Sequence, residues 1–174
     1  LRDNGLNMRK VILLGSARTW GHTRKAIEPW VGQPGVELLD LKEFQISPFD
    51  YEHGNAGDDF IPLIQQLLTY ELWVIATPVY WYSMSTLHKI FFDRFSDILT
   101  LRKDLGRQLR GKKLFVVATF GTSYPEGFEA IFQQMCGYLG MEYLGTSFIY
   151  SGTENEEFLG NNPQALLKAQ RVLE

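Results

Sequence analysis

The sequence predicts an α/β protein, a three-layer sandwich around a parallel sheet. Short continuous apolar runs at 11–14, 72–76 and 114–118 are rich in β-branched and aromatic residues and each stops at a small or polar residue. That is how strands buried on both faces read. Helical patterns separate them, and strand and helix alternate throughout, as the crossovers of a parallel sheet require.

Each element has its own signal. The first strand, 11–14, leads into a helical pattern over 22–30, which Pro29 should shorten or kink near Glu28 because proline deletes a backbone donor. "VELLDL" at 36–41 is a weaker strand. A helix over 58–70 has Asp58 as its cap and Pro62 in its first turn, where early amides lack partners anyway. Strand 72–76 is followed by a helix over 84–99, strand 114–118 by a helix over 126–139, and the weak strand "YLGTSFIYS" at 143–151 by a helix over 163–172. The strand count is therefore five. The longest irregular stretches, 43–57 and 100–111, are of a length that is often functional or interface-forming.

The 174 residues suit one domain, 8–174, with residues 1–7 ahead of Met8 read as an N-terminal extension or cloning remnant. Lys and Arg total 17 against 20 for Asp and Glu, a formal charge of −3 with no massed tract, which argues against a nucleic-acid or membrane partner. No apolar run approaches a membrane span, and no secretory leader opens the chain. Cys136 alone cannot form an intrachain disulfide, in keeping with a reducing compartment, and the expected location is cytoplasmic.

In a doubly wound sheet, ligands sit beyond the carboxyl ends of the strands where the winding direction reverses. After the first strand comes "GSARTWGHT": Gly15 permits a tight turn, Ser16, Thr19 and Thr23 offer hydroxyls, and Arg18 offers a fork of donors beside a helix start. This set suits a dianionic phosphate. No Lys-Ser or Lys-Thr pair follows the glycines, so a Walker-type loop is excluded. Read alone, the stretch is also an ordinary polar turn. After the third strand comes "TPVYWYSMST". Pro78 stiffens the exit, the amides of Val79, Tyr80 and Trp81 are expected to point outward at the polar edge of a planar ring, and the aromatic faces offer stacking. Tyr80, Trp81 and Tyr82 could equally be core or interface aromatics. After the fourth strand, "TFGTSYPEG" supplies Thr119, Gly121 and Thr122, a glycine for close approach and hydroxyls for a sugar-like chain or ring carbonyl. One phosphate-shaped loop and two ring-shaped loops describe a phosphorylated flat cofactor across the switch point.

These stretches, "VILLGSARTWGHT", "ATPVYWYSMSTLHKIFFDRFSD" and "VVATFGTSYPEGFEAIFQQMCGYLGM", resemble the flavodoxin-like NAD(P)H-dependent FMN reductase family. The resemblance implies a flavodoxin-like sheet of order 2-1-3-4-5, noncovalent FMN, and hydride transfer from NADPH or NADH to a small-molecule acceptor such as a flavin, quinone, azo dye or nitroaromatic. It implies that Ser16, Arg18, His22 and Thr23 hold phosphate, that Pro78, Val79, Tyr80 and Trp81 border the isoalloxazine, and that Thr119, Gly121 and Thr122 close its other edge. Relatives commonly have Asn where this chain has His22, a small change if the backbone amide binds, and Gly where it has Thr86, which narrows the ring's mouth. Tyr82, Tyr124 and Phe49 are further candidate lining residues. No side chain is expected to be catalytic in its own right, because the flavin accepts hydride directly.

Other chemistries lack their residues. A low-molecular-weight phosphatase needs Arg six positions after its Cys, and Cys136 is followed there by Glu142, in a helix that reads as buried. The cysteine cluster of iron-sulfur flavoproteins has no counterpart in "FDYEHGNAGDDF". His22, His53 and His88 lack metal-site spacing, "GDDF" reads as a solvated helix start, and no metal is expected. The main rival is a flavodoxin-type one-electron carrier, but such carriers are strongly acidic around the flavin, whereas this chain is mildly acidic and aromatic there. The aromatic-rich 84–99 segment and the family resemblance predict a homodimer or homotetramer.

Overall fold

The apolar runs become the middle of one parallel sheet in the computed structural model, which describes residues 8–152 and 156–174. Its strands are β1 (Lys10–Leu14), β2 (Val36–Asp40), β3 (Leu72–Pro78), β4 (Lys113–Phe120) and β5 (Glu142–Tyr150). They lie in the order β2-β1-β3-β4-β5, every pair parallel. The expected order is therefore observed; the expected extension at 1–7 lies outside the described residues.

Alternation along each strand divides the core. Val11, Leu13, Trp73, Ile75, Leu114 and Val116 face one layer. That layer holds α2 (Phe60–Leu67), α3 (Thr86–Asp93), α4 (Phe95–Thr100), α5 (Lys103–Gly106) and α6 (Phe128–Leu139). Ile12, Leu14, Leu72, Val74, Phe115 and Val117 face the other, beside α1 (His22–Ile27) and α7 (Pro163–Leu173). Both layers are needed because β1, β3 and β4 bury both faces.

Pro29 acts as expected: α1 ends at Ile27 and tightens into a 3-10 turn over Glu28–Trp30. The helix expected over 84–99 is instead two. Arg94 joins them with φ −69° and ψ −8°, and the Asp97 amide bonds the Arg94 carbonyl three residues back. The irregular stretch 100–111 also holds structure, α5 and a 3-10 turn over Arg107–Leu109.

The break at Arg94 accompanies a buried ion network. The Arg94 side chain is fully buried; its Nε donates to Asp97 Oδ2 at 2.7 Å and its Nη1 to the Ser47 carbonyl at 3.0 Å and to Asp58 Oδ2 at 2.5 Å. Its guanidinium lies 4.8 Å from the Phe60 ring centre. Burial alone would raise the Asp58 carboxyl, but hydrogen bonds from Arg94 and from the Ser47 and Phe60 amides outweigh it and hold the pKa below the ordinary value. "GDDF" is thus no solvated helix start: Asp58 and Asp59 tie the 44–59 loop back through the amides of Ser47 and Gln45.

Removing one member of a buried ion network strands its partners, at a typical cost of about 3 to 5 kcal/mol. Arg94→Met should lose stability on that scale in urea denaturation, because Asp58 and Asp97 would both be left without their cation. A loss below about 1 kcal/mol, the range of exposed pairs, would show the network to be dispensable.

Candidate functional site

The site is built at the carboxyl ends of β1, β3 and β4, where their exits are tied together by buried polar groups. The Gly15 amide, leaving β1, donates to the Ala76 carbonyl of β3 at 3.0 Å. A Cβ at Gly15 would sit 2.3 Å from His88 Nδ1, so only glycine fits against the imidazole. His88 itself is fully buried on α3, with Nε2 3.1 Å from the Leu13 carbonyl and Nδ1 3.3 Å from Ser85 Oγ. The Ser85 amide donates to Thr77 Oγ1 at 3.0 Å, closing a chain from β1 through α3 to the end of β3. Burial lowers the His88 pKa to about 4, against the small opposing effect of the Leu13 carbonyl, so the ring is neutral. Its Nε2–H donates to Leu13, which leaves Nδ1 to accept from the Ser85 hydroxyl.

The loop after β1 buries Ser16, whose Oγ accepts from the Arg18 amide at 3.3 Å. Thr23, in the first turn of α1, meets Thr119 at the end of β4, hydroxyl to hydroxyl at 2.7 Å. Thr19 accepts instead from Lys42 Nζ at 3.0 Å. Ser16, Arg18, His22, Thr23, Pro78, Val79, Tyr80, Thr119 and Gly121 line one cavity of about 340 Å³. Trp20, Gly21, Lys25, Phe120 and Ser151 complete it. Among the described residues its lining holds Arg18 and Lys25, five hydroxyls and no carboxylate, a composition suited to an anion.

A second cavity of about 300 Å³ shares Val79, Phe120 and Gly121 with the first and adds Trp81, Tyr82, Thr122 and Ser123. Its aromatic wall is a tight turn: Tyr80 and Ser83 exchange amide-to-carbonyl bonds at 2.9 and 3.0 Å, and Trp81 and Tyr82 between them have φ of 49° and 63°. Tyr80, Trp81 and Tyr82 are 48%, 92% and 57% exposed. Tyr82 OH reaches Ser123 Oγ across the cavity at 3.0 Å. One expectation fails here. Of the three amides expected to point outward, Val79 donates to the Thr119 carbonyl at 2.8 Å and Tyr80 to Ser83, which leaves Trp81. Parallel pairing to β4 and the turn's own closure consume the other two.

All eleven expected site residues thus line two adjoining cavities. Two further candidates do not: Tyr124 packs on Phe120 and Phe148, and Phe49 lies in a groove elsewhere. Trp20, Lys25, Phe120 and Ser151 line the first cavity without belonging to the expected set. The first two are legible as neighbours of the phosphate loop, whereas Ser151 enters only because its amide bonds the Phe120 carbonyl at 2.8 Å, a long-range contact. Among the described residues, no group of three or more His, Cys, Asp or Glu could hold a metal, and no helix is long and apolar enough to cross a membrane. Cys136 is buried, and burial raises its thiol to about 11.

Comparisons with known proteins agree with this architecture. A sequence profile of the family described as having a flavodoxin-like fold matches residues 9–173. YwqN of Bacillus subtilis (strain 168), provisionally named as an NAD(P)H-dependent FMN-containing oxidoreductase, is 29% identical, the alignment covering 95% of this chain and 97% of that protein. A solved structure of the Trp repressor binding protein from Bacillus subtilis superposes with a TM-score of 0.75 at 24% identity, covering 95% of this chain and 97% of that one. An FMN-dependent NADH-azoreductase from Bacillus anthracis, solved in complex with FMN, superposes at 0.64 with 15% identity, covering 95% and 100%.

The neutral His88 makes stability fall with acid. Its folded pKa of about 4 lies below the ordinary 6.5, so between those values the unfolded chain binds the proton and the folded chain does not. The contribution is complete above pH 6.5, falls as the pH drops toward 4, and amounts to about 3 kcal/mol over the window. Melting temperature should therefore fall by several degrees between pH 7 and pH 4.5, and His88→Gln should flatten that slope. An unchanged slope in the variant would place the acid sensitivity elsewhere.

Proposed function

The chain belongs to the flavodoxin-like fold family, and from that premise we propose that it is an FMN-dependent NAD(P)H oxidoreductase. The observation that carries the proposal is the pair of adjoining cavities, one hydroxyl-lined and cationic and one aromatic-walled, at the carboxyl edge of β1, β3 and β4. β1 and β3 are the strands between which the winding direction reverses, the place for a ligand in an open α/β sheet. The residues fit FMN: its phosphate suits Arg18, Lys25, Ser16 and Thr23, and its ring suits the cleft between the Tyr80–Ser83 turn and Gly121–Thr122. The naming of YwqN as FMN-containing supports the same cofactor here.

When bound, FMN supplies hydride acceptance from a reduced nicotinamide and two-electron delivery to an acceptor. The chain's own part is to bind and orient. Arg18 and Lys25 balance the phosphate charge. Thr23 and Thr119, bonded to each other, fix the geometry between α1 and β4 and keep one hydroxyl hydrogen for the ligand. The Trp81 amide, to which no backbone carbonyl among the described residues is bonded, would be available to the ring's polar edge. Tyr80, Trp81 and Tyr82 form an exposed shelf on which nicotinamide and then a flat acceptor, a quinone, azo dye or second flavin, stack in turn. Among the described residues no carboxylate lines either cavity, whereas a one-electron carrier would need an acidic collar to steer a basic partner, and this favours the enzyme.

Arg18→Ala should weaken FMN binding by about 1.5 to 3 kcal/mol in a fluorescence titration, because it removes a charge-assisted bond to phosphate. Equal affinity would move the phosphate elsewhere. Mixed anaerobically with NADPH or NADH, the yellow holoprotein should bleach in a single phase, and Tyr80→Ala should slow that phase more than it weakens FMN. Failure of both nicotinamides to bleach the protein would leave the carrier as the reading.

A further inference from the structure

The two loops that flank the aromatic-walled cavity are tied to each other at base and rim. At the base, the Val79 amide donates to the Thr119 carbonyl at 2.8 Å, a continuation of the β3–β4 pairing. Thr119 also meets Thr23 of α1, hydroxyl to hydroxyl at 2.7 Å, with both residues buried. At the rim, Tyr82 OH and Ser123 Oγ lie 3.0 Å apart. The cavity of about 300 Å³ has Trp81 and Tyr82 from one loop and Thr122 and Ser123 from the other among its walls. These ties differ in what opening them costs. The inner two belong to sheet backbone and to buried side chains, so parting them strands polar groups away from water. The rim tie joins two exposed residues, whose hydroxyls water can satisfy when they separate. The loops can therefore open at the rim while their base stays fixed.

We propose that the Tyr82–Ser123 bond is a latch over the flavin ring, which makes FMN a cofactor that stays through turnover and not a substrate that leaves once reduced. The inference rests on the reading of this cavity as the ring's place. Both partners of the bond belong to the protein, so it resists entry and exit alike, where a contact to the ligand would resist exit alone. The two ends of the site then divide the work. Arg18 and Lys25 at the phosphate end set how tightly the flavin is held. The latch at the ring end sets how fast it exchanges, and Tyr82 keeps its aromatic face for stacking while its hydroxyl is engaged.

Tyr82→Phe and Ser123→Ala remove the bond and keep the walls of the cavity. Mixing flavin-stripped protein with FMN gives the entry rate from the loss of flavin fluorescence, and diluting the holoprotein gives the release rate from its return. Each variant should raise both rates by about three- to tenfold, the range of one net hydrogen bond, and leave the dissociation constant nearly unchanged. The double variant should be no faster than either single one, because both changes remove the same bond. Arg18→Ala, which takes a contact from the ligand, should speed release without speeding entry. After reduction by dithionite without oxygen, ultrafiltration should retain the flavin with the wild-type protein. A wild type that binds no FMN would remove the reading of the site itself. With FMN bound, unchanged rates in both single variants, release that quickens while entry does not, a double variant in which the two effects multiply, or reduced flavin in the wild-type filtrate would each overturn the latch and leave the site's reading in place.

Discussion

Residue 15 cannot take a side chain while His88 is in place, and the geometry of the sheet edge depends on that fit. The imidazole fills the space that any side chain at residue 15 would need, the clash being 2.3 Å from an added Cβ to Nδ1. In return it holds the Leu13 carbonyl at the end of β1 and, through Ser85 and Thr77, the end of β3. A charged ring would bring an uncompensated charge into a fully buried place, so burial selects the neutral form, whose Nδ1 can accept from the Ser85 hydroxyl. The loops leaving β1 and β3 therefore start from fixed positions, and the cationic cavity and the aromatic turn are held at one separation.

Arg94 does for the helical layer what His88 does for the sheet edge. It joins α3 to α4, and by holding Ser47, Asp58 and Asp97 it folds the 44–59 loop against those helices. That placement explains why Phe49 lies in the groove between α4 and α6 and not beside the aromatic turn. The same loop carries Tyr51 to that groove, so its placement too is a consequence of one buried cation.

What could be read from the sequence follows the range of the interactions involved. The sheet was legible because strands buried on both faces must be apolar at every position, and 11–14, 72–76 and 114–118 obey that locally. The phosphate-shaped loop was legible because Gly15, Ser16, Arg18 and Thr23 lie within nine residues of one another. Ser151 was not, since it reaches the same cavity only through β5. The break at Arg94 was hidden for a related reason: an arginine among phenylalanines has good helix propensity, and the partners that bury it lie three residues away at Asp97 but 36 away at Asp58. Local pattern cannot show which charges will meet after folding.

The aromatic turn combines both cases. Its aromatics identify it as a shelf, yet nothing in "YWYS" announces a tight turn, because left-handed positions are usually filled by glycine or asparagine. Trp81 and Tyr82 hold φ of 49° and 63° at a penalty of about 1 to 2 kcal/mol each. The two Tyr80–Ser83 bonds and the Val79 bond to β4 offset it, so the strain persists only while β4 holds the base of the turn. A glycine at either position would relieve that strain, but it would also remove an aromatic face from the shelf and loosen the turn's backbone. The local conflict between residue type and backbone thus has a use: it preserves three aromatic faces in a fixed geometry before any ligand arrives, so less ordering remains to oppose binding.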